Sequence, residues 1–358
     1  MTSQIPYTGK KGPLRQMIPL ALAVLTAAAA ASCSSGGGSG SGSTAGASSG
    51  TTSQAGETSV GNVTLHIGDQ AGSGAEALLT AAGLIHKLPF HATFSDFTSG
   101  PPMLQAMGAG AVDIGAVGNS PPVFAAAGGS QITIVGALKS SPAGSAIVVP
   151  KNSPVHSVAD LKGKKIAVAQ GSSANYHILT VLQKAGLSVK DVTLDYLQPA
   201  EGQAALSSGA VDAWDIWTPF TEAAVAKGAR ILVTGQGYGS PYSFEVASRA
   251  ALADPAKAAA IRAYLKIINQ AHIWANAHPD DWARIWAQGT GLPDSIMQTA
   301  AKDAQSVPIP ITPAVVASEQ HIADAYQTAG LIPGKVDLAN FVVTRFNSTA
   351  DSTAGSSS

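Results

Sequence analysis

The feature that most constrains this chain is a pattern it carries twice. LQAMGAGAVDIGAVGNSPP starts at Leu104, and QAALSSGAVDAWDIWTPF starts at Gln203. Each copy runs from a helix into Gly-Ala-Val-Asp, through an apolar strand, to a turn that opens the next helix on proline. Strands separated by helices cross over rather than pair as hairpins, which gives parallel sheets covered by helices on both faces. The duplication therefore predicts two similar α/β lobes. Asp113 and Asp212 end the shared tetrapeptide and are expected to be structural, holding backbone amides where each strand starts.

The alternation extends over 63–235. VTLHI, ATFSDF, VDIGAV, ITIVGAL, AIVVP, KIAVA, VTLDYL, VDAWDIW and ARILVT read as strands, with helices such as PMLQAMGAG and ANYHILTVLQKAG between them. Beyond Asp254 the pattern reads as all helix, led by the long periodic stretch AKAAAIRAYLKIINQAHIWANA.

The ends differ from the middle. Lys10, Lys11 and Arg15 precede an apolar run over 17–31, the layout of a secretory signal peptide over 1–32. The run is too short and too rich in alanine for a membrane span. It ends in Ala30-Ala31-Ser32-Cys33, and Cys33 is the only cysteine of the 358 residues. That placement resembles a bacterial lipobox, although Ala30 stands where a larger aliphatic is usual, and it implies lipidation of Cys33. The fold must hold without an internal disulfide. Residues 33–61 are nearly all Gly, Ser, Ala and Thr and read as a flexible linker reaching roughly 30 Å. Residues 348–358 read as a disordered tail. Loss of 1–32 removes three of 21 basic residues and no acid, moving the net charge from −1 to −4. No basic run remains, so nucleic acid is not an expected partner.

Candidate chemistry lies in the turns after the strands. These are Gln70-Ala71-Gly72-Ser73, Thr98-Ser99-Gly100-Pro101, Gly118-Asn119-Ser120-Pro121, Gly171-Ser172-Ser173, Gln198-Pro199 and Thr218-Pro219. Each offers a cap residue or glycine at a helix start, at the strand ends where open parallel sheets bind ligands. Helix N-termini carry unpaired N–H groups and partial positive charge, so several around one cleft make an anion site. There is no arginine between Cys33 and Arg230, hence no guanidinium fork from these turns. A sulfonate fits such neutral donors; sulfate and nitrate fit equally, and phosphate stays open. Trp214 and Trp217 flank one strand end, and residues three apart point to opposite faces, so at most one of them is expected at the cleft unless the strand ends first. An aromatic wall favours an organic tail. His177 sits one turn into the helix after Gly171-Ser172-Ser173 and is within reach of the cleft, but it reads as a helix-surface residue. No GxGxxG follows the first strand, and there is no GxxxxGK[ST] and no HExxH, so no nucleotide, metal or cofactor is expected.

On three segments the chain resembles a known family. FTSGPPMLQAMGAGAVDIGAVGNSPPVFAAAG, SPVHSVADLKGKKIAVAQGSSANYHILTVLQKAGL and GAVDAWDIWTPF are similar to the substrate-binding proteins of bacterial ABC importers for aliphatic sulfonates, with taurine and nitrate binders as relatives. The resemblance implies a type II periplasmic-binding-protein fold: two α/β lobes, a ligand cleft between them and a helical C-terminal part. Lobe 1 would take 62–143 and 245–347, and lobe 2 would take 144–244, with crossovers near 140–146 and 242–247. It implies an extracytoplasmic binding protein, not an enzyme, lipid-anchored or periplasmic, serving a membrane permease in sulfur uptake. The ligand-binding set is Gln70, Ser99, Gly100, Asn119, Ser120, Gly171, Ser172, Ser173, Trp214 and Thr218. The alternatives on the same fold are a thiamine-pyrimidine-precursor or nitrate binder, or an enzyme of thiamine-pyrimidine synthesis. The chain departs from the family at Gly118-Asn119-Ser120, where Gly-Asp is common, and at Trp217-Thr218-Pro219, where Trp-Asp-Pro is common. An acid appears instead at Asp215.

Overall fold

The computed structural model describes residues 60–70 and 74–351. The expected signal segment 1–32, the lipidation site Cys33 and the linker up to residue 59 lie outside the described residues. So do Ala71, Gly72 and Ser73 of the first turn and 352–358 of the tail.

Short apolar runs form two sheets. The first holds β1 (Thr64–Gln70), β2 (His91–Phe97), β3 (Ile114–Gly118), β4 (Ile132–Ser140), β10 (Tyr242–Ser248) and β11 (Ser306–Ile309), in the order β11-β4-β10-β3-β1-β2. The second holds β5 (Ser145–Pro150), β6 (Lys165–Val168), β7 (Thr193–Tyr196), β8 (Ala213–Trp217) and β9 (Ala229–Thr234), in the order β7-β6-β8-β5-β9. β1 pairs in parallel with β2 and β3, and β6 with β7 and β8.

Neither sheet is purely parallel, contrary to the expectation from alternation. β10 lies antiparallel between β3 and β4, and β5 lies antiparallel between β8 and β9. These are the two strands that follow a crossing from one sheet to the other, so each arrives from the opposite end. The chain crosses first over 141–144 and returns over 235–241. The return expected near 242–247 is instead strand β10, which pairs from Tyr242 opposite Lys139, and the expected lobe boundary after residue 244 falls inside it. The C-terminal part is not all helix either. Ser-Val-Pro-Ile forms β11 on the outer edge of β4, a position where Pro308 is tolerated.

Helices cover both sheets. α1 (Ala75–Ala81), α2 (Gly100–Gly108) and α3 (Ser120–Ala127) belong to the first repeat region, and α4 (Ser173–Lys184), α5 (Pro199–Ser208) and α6 (Phe220–Ala226) to the second. Then follow α7 (Arg249–Ala253), α8 (Pro255–Ala277), α9 (Pro279–Thr290), α10 (Asp294–Asp303), α11 (Pro313–Thr328) and α12 (Ser348–Asp351). In α8, Ile261, Leu265 and Ile268 fall at helical spacing and pack on Leu65, Ile67 and Ile114 of the first sheet. Each such buried side chain stabilises by roughly 1.5–3 kcal/mol. The tail expected to be disordered from 348 begins with α12, tied down where Asn269 Nδ2 donates to the Thr349 carbonyl at 3.3 Å.

The duplication is visible in hydrogen bonds. Asp113 Oδ2 accepts from the His66 N–H at 2.9 Å, and the Asp113 N–H donates to the His66 carbonyl at 2.7 Å. Asp212 Oδ2 accepts from the Lys165 N–H at 2.8 Å, and its own N–H donates to the Lys165 carbonyl at 2.8 Å. Both partners lie 47 residues away. The aspartates lock neighbouring strands at their starts, as the tetrapeptide predicts.

Candidate functional site

Strand ends of both sheets meet at a cleft of about 270 Å³. From the first sheet come Gln70, Gly118, Asn119 and the start of α2 at Gly100. From the second come Ser172, Ser173, His177, Trp217 and Thr218. Trp286 and Asp303 lie on the C-terminal helices. The described lining residues include no lysine or arginine. The end of β3 packs directly against the start of α4: a Cβ added at Gly118 would sit 1.9 Å from Ser173 Oγ.

Six of the expected site residues line this cleft: Gln70, Gly100, Asn119, Ser172, Ser173 and Thr218. Ser99 and Ser120 are fully buried beside it. Gly171, at φ 71°, lines a separate hollow against Phe124. Trp214 is not at the cleft. Ala213 and Asp215 of β8 turn to the α4 side, while Trp214 and Ile216 turn to the opposite core with Val148 and Leu206; Trp217, at the strand end, packs against both. Trp214 is fully buried, and a Cβ on Gly202 would touch its Nε1 at 2.6 Å. Trp217 is the tryptophan that lines the cleft from this strand.

The hydroxyls are less available than a list of serines implies, because each has one proton to give. Ser172 Oγ donates to the Ala169 carbonyl at 2.7 Å and accepts from the Asn175 N–H as the α4 cap. Ser99 Oγ donates to Gln198 Oε1 at 2.8 Å, and Ser120 Oγ to Asn119 Oδ1 at 2.9 Å. Thr218 Oγ1 lies 3.0 Å from the Gly144 carbonyl and 2.8 Å from Glu222 Oε1. Helix starts differ in a similar way. α2 opens Gly100-Pro101-Pro102 and α3 opens Ser120-Pro121-Pro122, and proline has no N–H. α4 has no proline in its first turn, and the Ser173 and Ala174 amides make no hydrogen bond among the described residues. The α4 start therefore keeps two consecutive amides free at the cleft.

His177 departs most from the sequence reading. It is 1% exposed rather than on the helix surface, one turn into α4, and its ring lines the cleft. Nδ1 lies 2.9 Å from Asp215 Oδ1, on the inward face of β8. Nε2 has no hydrogen-bond partner among the described residues, and neither has Asp215 Oδ2. Burial pushes the ring's pKa down, but the Asp215 charge and hydrogen bond, helped by the Thr234 carbonyl, leave it above the ordinary imidazole value. A signal for this pair was present in the sequence as the unusual Asp215; its partner, 38 residues away, was not legible.

The acid missing at Thr218 returns one turn later as Glu222, whose Oε1 accepts from Thr218 behind the cleft wall. Burial raises the Glu222 carboxyl, and the nearby Asp303 charge raises it further against the hydrogen bond from Thr218. The cleft thus has donors at the start of α4, with Trp217 and Asp303 also in its lining.

Residues 99–282 match the family described as NMT1/THI5 like. A protein of Escherichia coli (strain K12), named as a candidate aliphatic sulfonates-binding protein, is 34% identical over 278 residues, covering 76% of this chain and 86% of the relative. Among solved structures, the alkanesulfonate-binding protein SsuA from Xanthomonas axonopodis pv. citri, bound to MOPS, is 34% identical with a TM-score of 0.73, over 78% of this chain and 98% of that one. The periplasmic aliphatic sulphonate binding protein SsuA from Escherichia coli is 33% identical with a TM-score of 0.70, over 78% and 92%.

Proposed function

The chain belongs to the NMT1/THI5 like family, and on that premise we propose that it is an extracytoplasmic solute-binding protein. It captures an aliphatic sulfonate in the cleft and delivers it to the permease of an ABC importer, without turning it over. The observation that carries the reading is the α4 start: two unbonded amides and the Ser173 side chain facing a cleft walled by Trp217. A sulfonate stays ionised at every physiological pH and spreads its charge over three oxygens, which suits fixed N–H and O–H donors at a helix start. Its alkyl tail suits an indole wall.

In this reading the Ser173 and Ala174 amides and the Ser173 hydroxyl take the head group. Gln70, Gly100 and Asn119 close over it from the first lobe, while Trp217 packs on the tail. Ser172, Ser99 and Ser120 act by fixing the turns through the bonds given above. The signal segment exports the protein, and Cys33 carries its lipid anchor.

The test is thermal unfolding against ethanesulfonate, taurine, MOPS, sulfate, nitrate and a thiamine-pyrimidine precursor, in a buffer that is not itself a sulfonate. A bound sulfonate at about one hundred times its Kd adds roughly 2.7 kcal/mol and raises the melting temperature. A shift with nitrate or the pyrimidine and none with any sulfonate would overturn the assignment.

A further inference from the structure

We propose that Asn119 presents its amide nitrogen, not its oxygen, to the head group, with Ser120 as the positioning residue and Tyr326 holding Ser120 in place. The cleft then selects an oxyanion that carries no proton over one that keeps an O–H. This deepens the functional reading above and rests on it for the site.

The orientation follows from where the buried protons can go. Tyr326 of α11 is fully buried, and its hydroxyl lies 3.1 Å from Ser120 Oγ. Its ring packs against Phe124 and Tyr176, with centroids 4.8 and 6.0 Å away. Glu319 of the same helix is buried too, but neither of its oxygens has a partner among the described residues. Ser120 Oγ is therefore the acceptor for the Tyr326 proton. Ser120 spends its own proton on Asn119 Oδ1 at 2.9 Å. Turned round, the amide would set Nδ2 against Ser120 Oγ and leave the buried Ser120 proton without an acceptor, which is costly. The helix does not compete for the Asn119 oxygen. Pro121 and Pro122 have no N–H to offer, and Asn119 makes no side-chain cap to α3.

With Oδ1 committed, Nδ2 is the end left over. It makes no hydrogen bond among the described residues, yet it is not one of the atoms closed off from solvent, as Nδ2 of Asn175 is. Asn119 is 4% exposed, and the hollow it lines is the cleft. Asn119 also follows Gly118, which packs on Ser173 Oγ, so Nδ2 and the α4 amides address the same head group. Asp303, the carboxylate among the lining residues, lies instead by Gly144, where an added Cβ would sit 3.6 Å from its carbonyl oxygen. A sulfonate has three acceptor oxygens and no proton, so every donor at this end finds a partner. A phosphonate monoanion has the same shape but keeps one O–H, which a donor-only wall leaves unpaired.

The experiment is calorimetric titration with ethanesulfonate and with ethylphosphonate at pH 6, where the phosphonate keeps one proton, in a buffer free of sulfonate and phosphate. We expect the wild type to bind ethanesulfonate roughly 10- to 150-fold more tightly than ethylphosphonate. Asn119→Asp keeps the Ser120 bond on one oxygen and turns an acceptor to the cleft. It should weaken ethanesulfonate by a similar factor and bring the preference to parity or reverse it. Ser120→Ala frees the amide to turn and should narrow the preference a few-fold, but not in Asn119→Asp, whose two oxygens are alike. If Asn119→Asp does not fold, Ser120→Ala decides alone. A merely structural role for either residue would weaken both ligands together. Equal wild-type affinities, or a preference that these variants leave unchanged, overturn the inference while the sulfonate reading stands. If no sulfonate binds, that reading fails instead, and sulfate against dihydrogen phosphate carries the comparison. A preference for sulfate that Asn119→Asp removes then supports the inference, and equal binding or none overturns it.

Discussion

The contact between Gly118 and Ser173 gives the sharpest test of the site. Gly118 ends β3 and carries no positive φ, so alanine suits its backbone and any effect comes from the added methyl. That methyl would sit 1.9 Å from Ser173 Oγ and 3.2 Å from Ser173 Cβ. Real contacts of this kind stay beyond 3.0 Å, so the hydroxyl must move by about 1 Å or the lobes must part by as much. Either way one hydrogen bond to a charged ligand is lost, worth about 1.5–3 kcal/mol. Gly118→Ala should therefore bind ethanesulfonate roughly 10- to 150-fold more weakly in isothermal titration. The melting temperature without ligand should change by only a few degrees, because the clash can be relieved by opening the cleft rather than by disturbing a core. Ser173→Ala removes the clashing oxygen, so the double variant should bind no more weakly than Gly118→Ala alone, a non-additivity expected of groups in contact. Wild-type affinity in Gly118→Ala, or simple addition of the two penalties, would refute the placement of Ser173 over the ligand.

Other outcomes follow from the same geometry. Trp214→Ala should cost about 3–5 kcal/mol of stability in denaturant unfolding, as for a fully buried aromatic, whereas Trp217→Ala should cost less stability and more affinity; the reverse ranking would mean that the faces of β8 are misassigned. Glu245, buried in β10 without a partner for either carboxyl oxygen among the described residues, has its pKa raised from 4.5 to about 8 by burial and by the Asp69 charge. The folded state then holds a proton that the unfolded chain releases, so this contribution is complete below about pH 4.5 and is lost as pH rises through 8, at roughly 1.4 kcal/mol per unit. Glu245→Gln should gain stability over the wild type progressively from pH 5 to pH 8, and an unchanging difference in melting temperature across that range would count against the buried charge.

Much of this molecule follows from short-range pattern. Strand and helix alternation, the repeated Gly-Ala-Val-Asp and the cap residues at helix starts depend on residues within a few positions of each other, so the sequence by itself determined two related α/β lobes and the strand ends that line the cleft. It also determined the roles of Asp113 and Asp212, because an acid at a strand start has a neighbouring strand's amide within reach in any such sheet.

Only the tertiary structure decided which donors are free. Ser99 spends its proton on Gln198, 99 residues away, and Ser172 spends its own on Ala169, while Ser173 of the same triplet lies open to the cleft. The face of β8 that meets α4 chose Trp217 over Trp214 and brought Asp215 to His177. The antiparallel placement of β5 and β10 likewise depended on which end of each sheet the crossing chain reaches. The physical reason is common to all three. Local pattern fixes what each residue can do, but a hydroxyl proton, a ring nitrogen or a strand edge is satisfied by whichever partner folding brings within about 3 Å, and those partners come from distant parts of the chain.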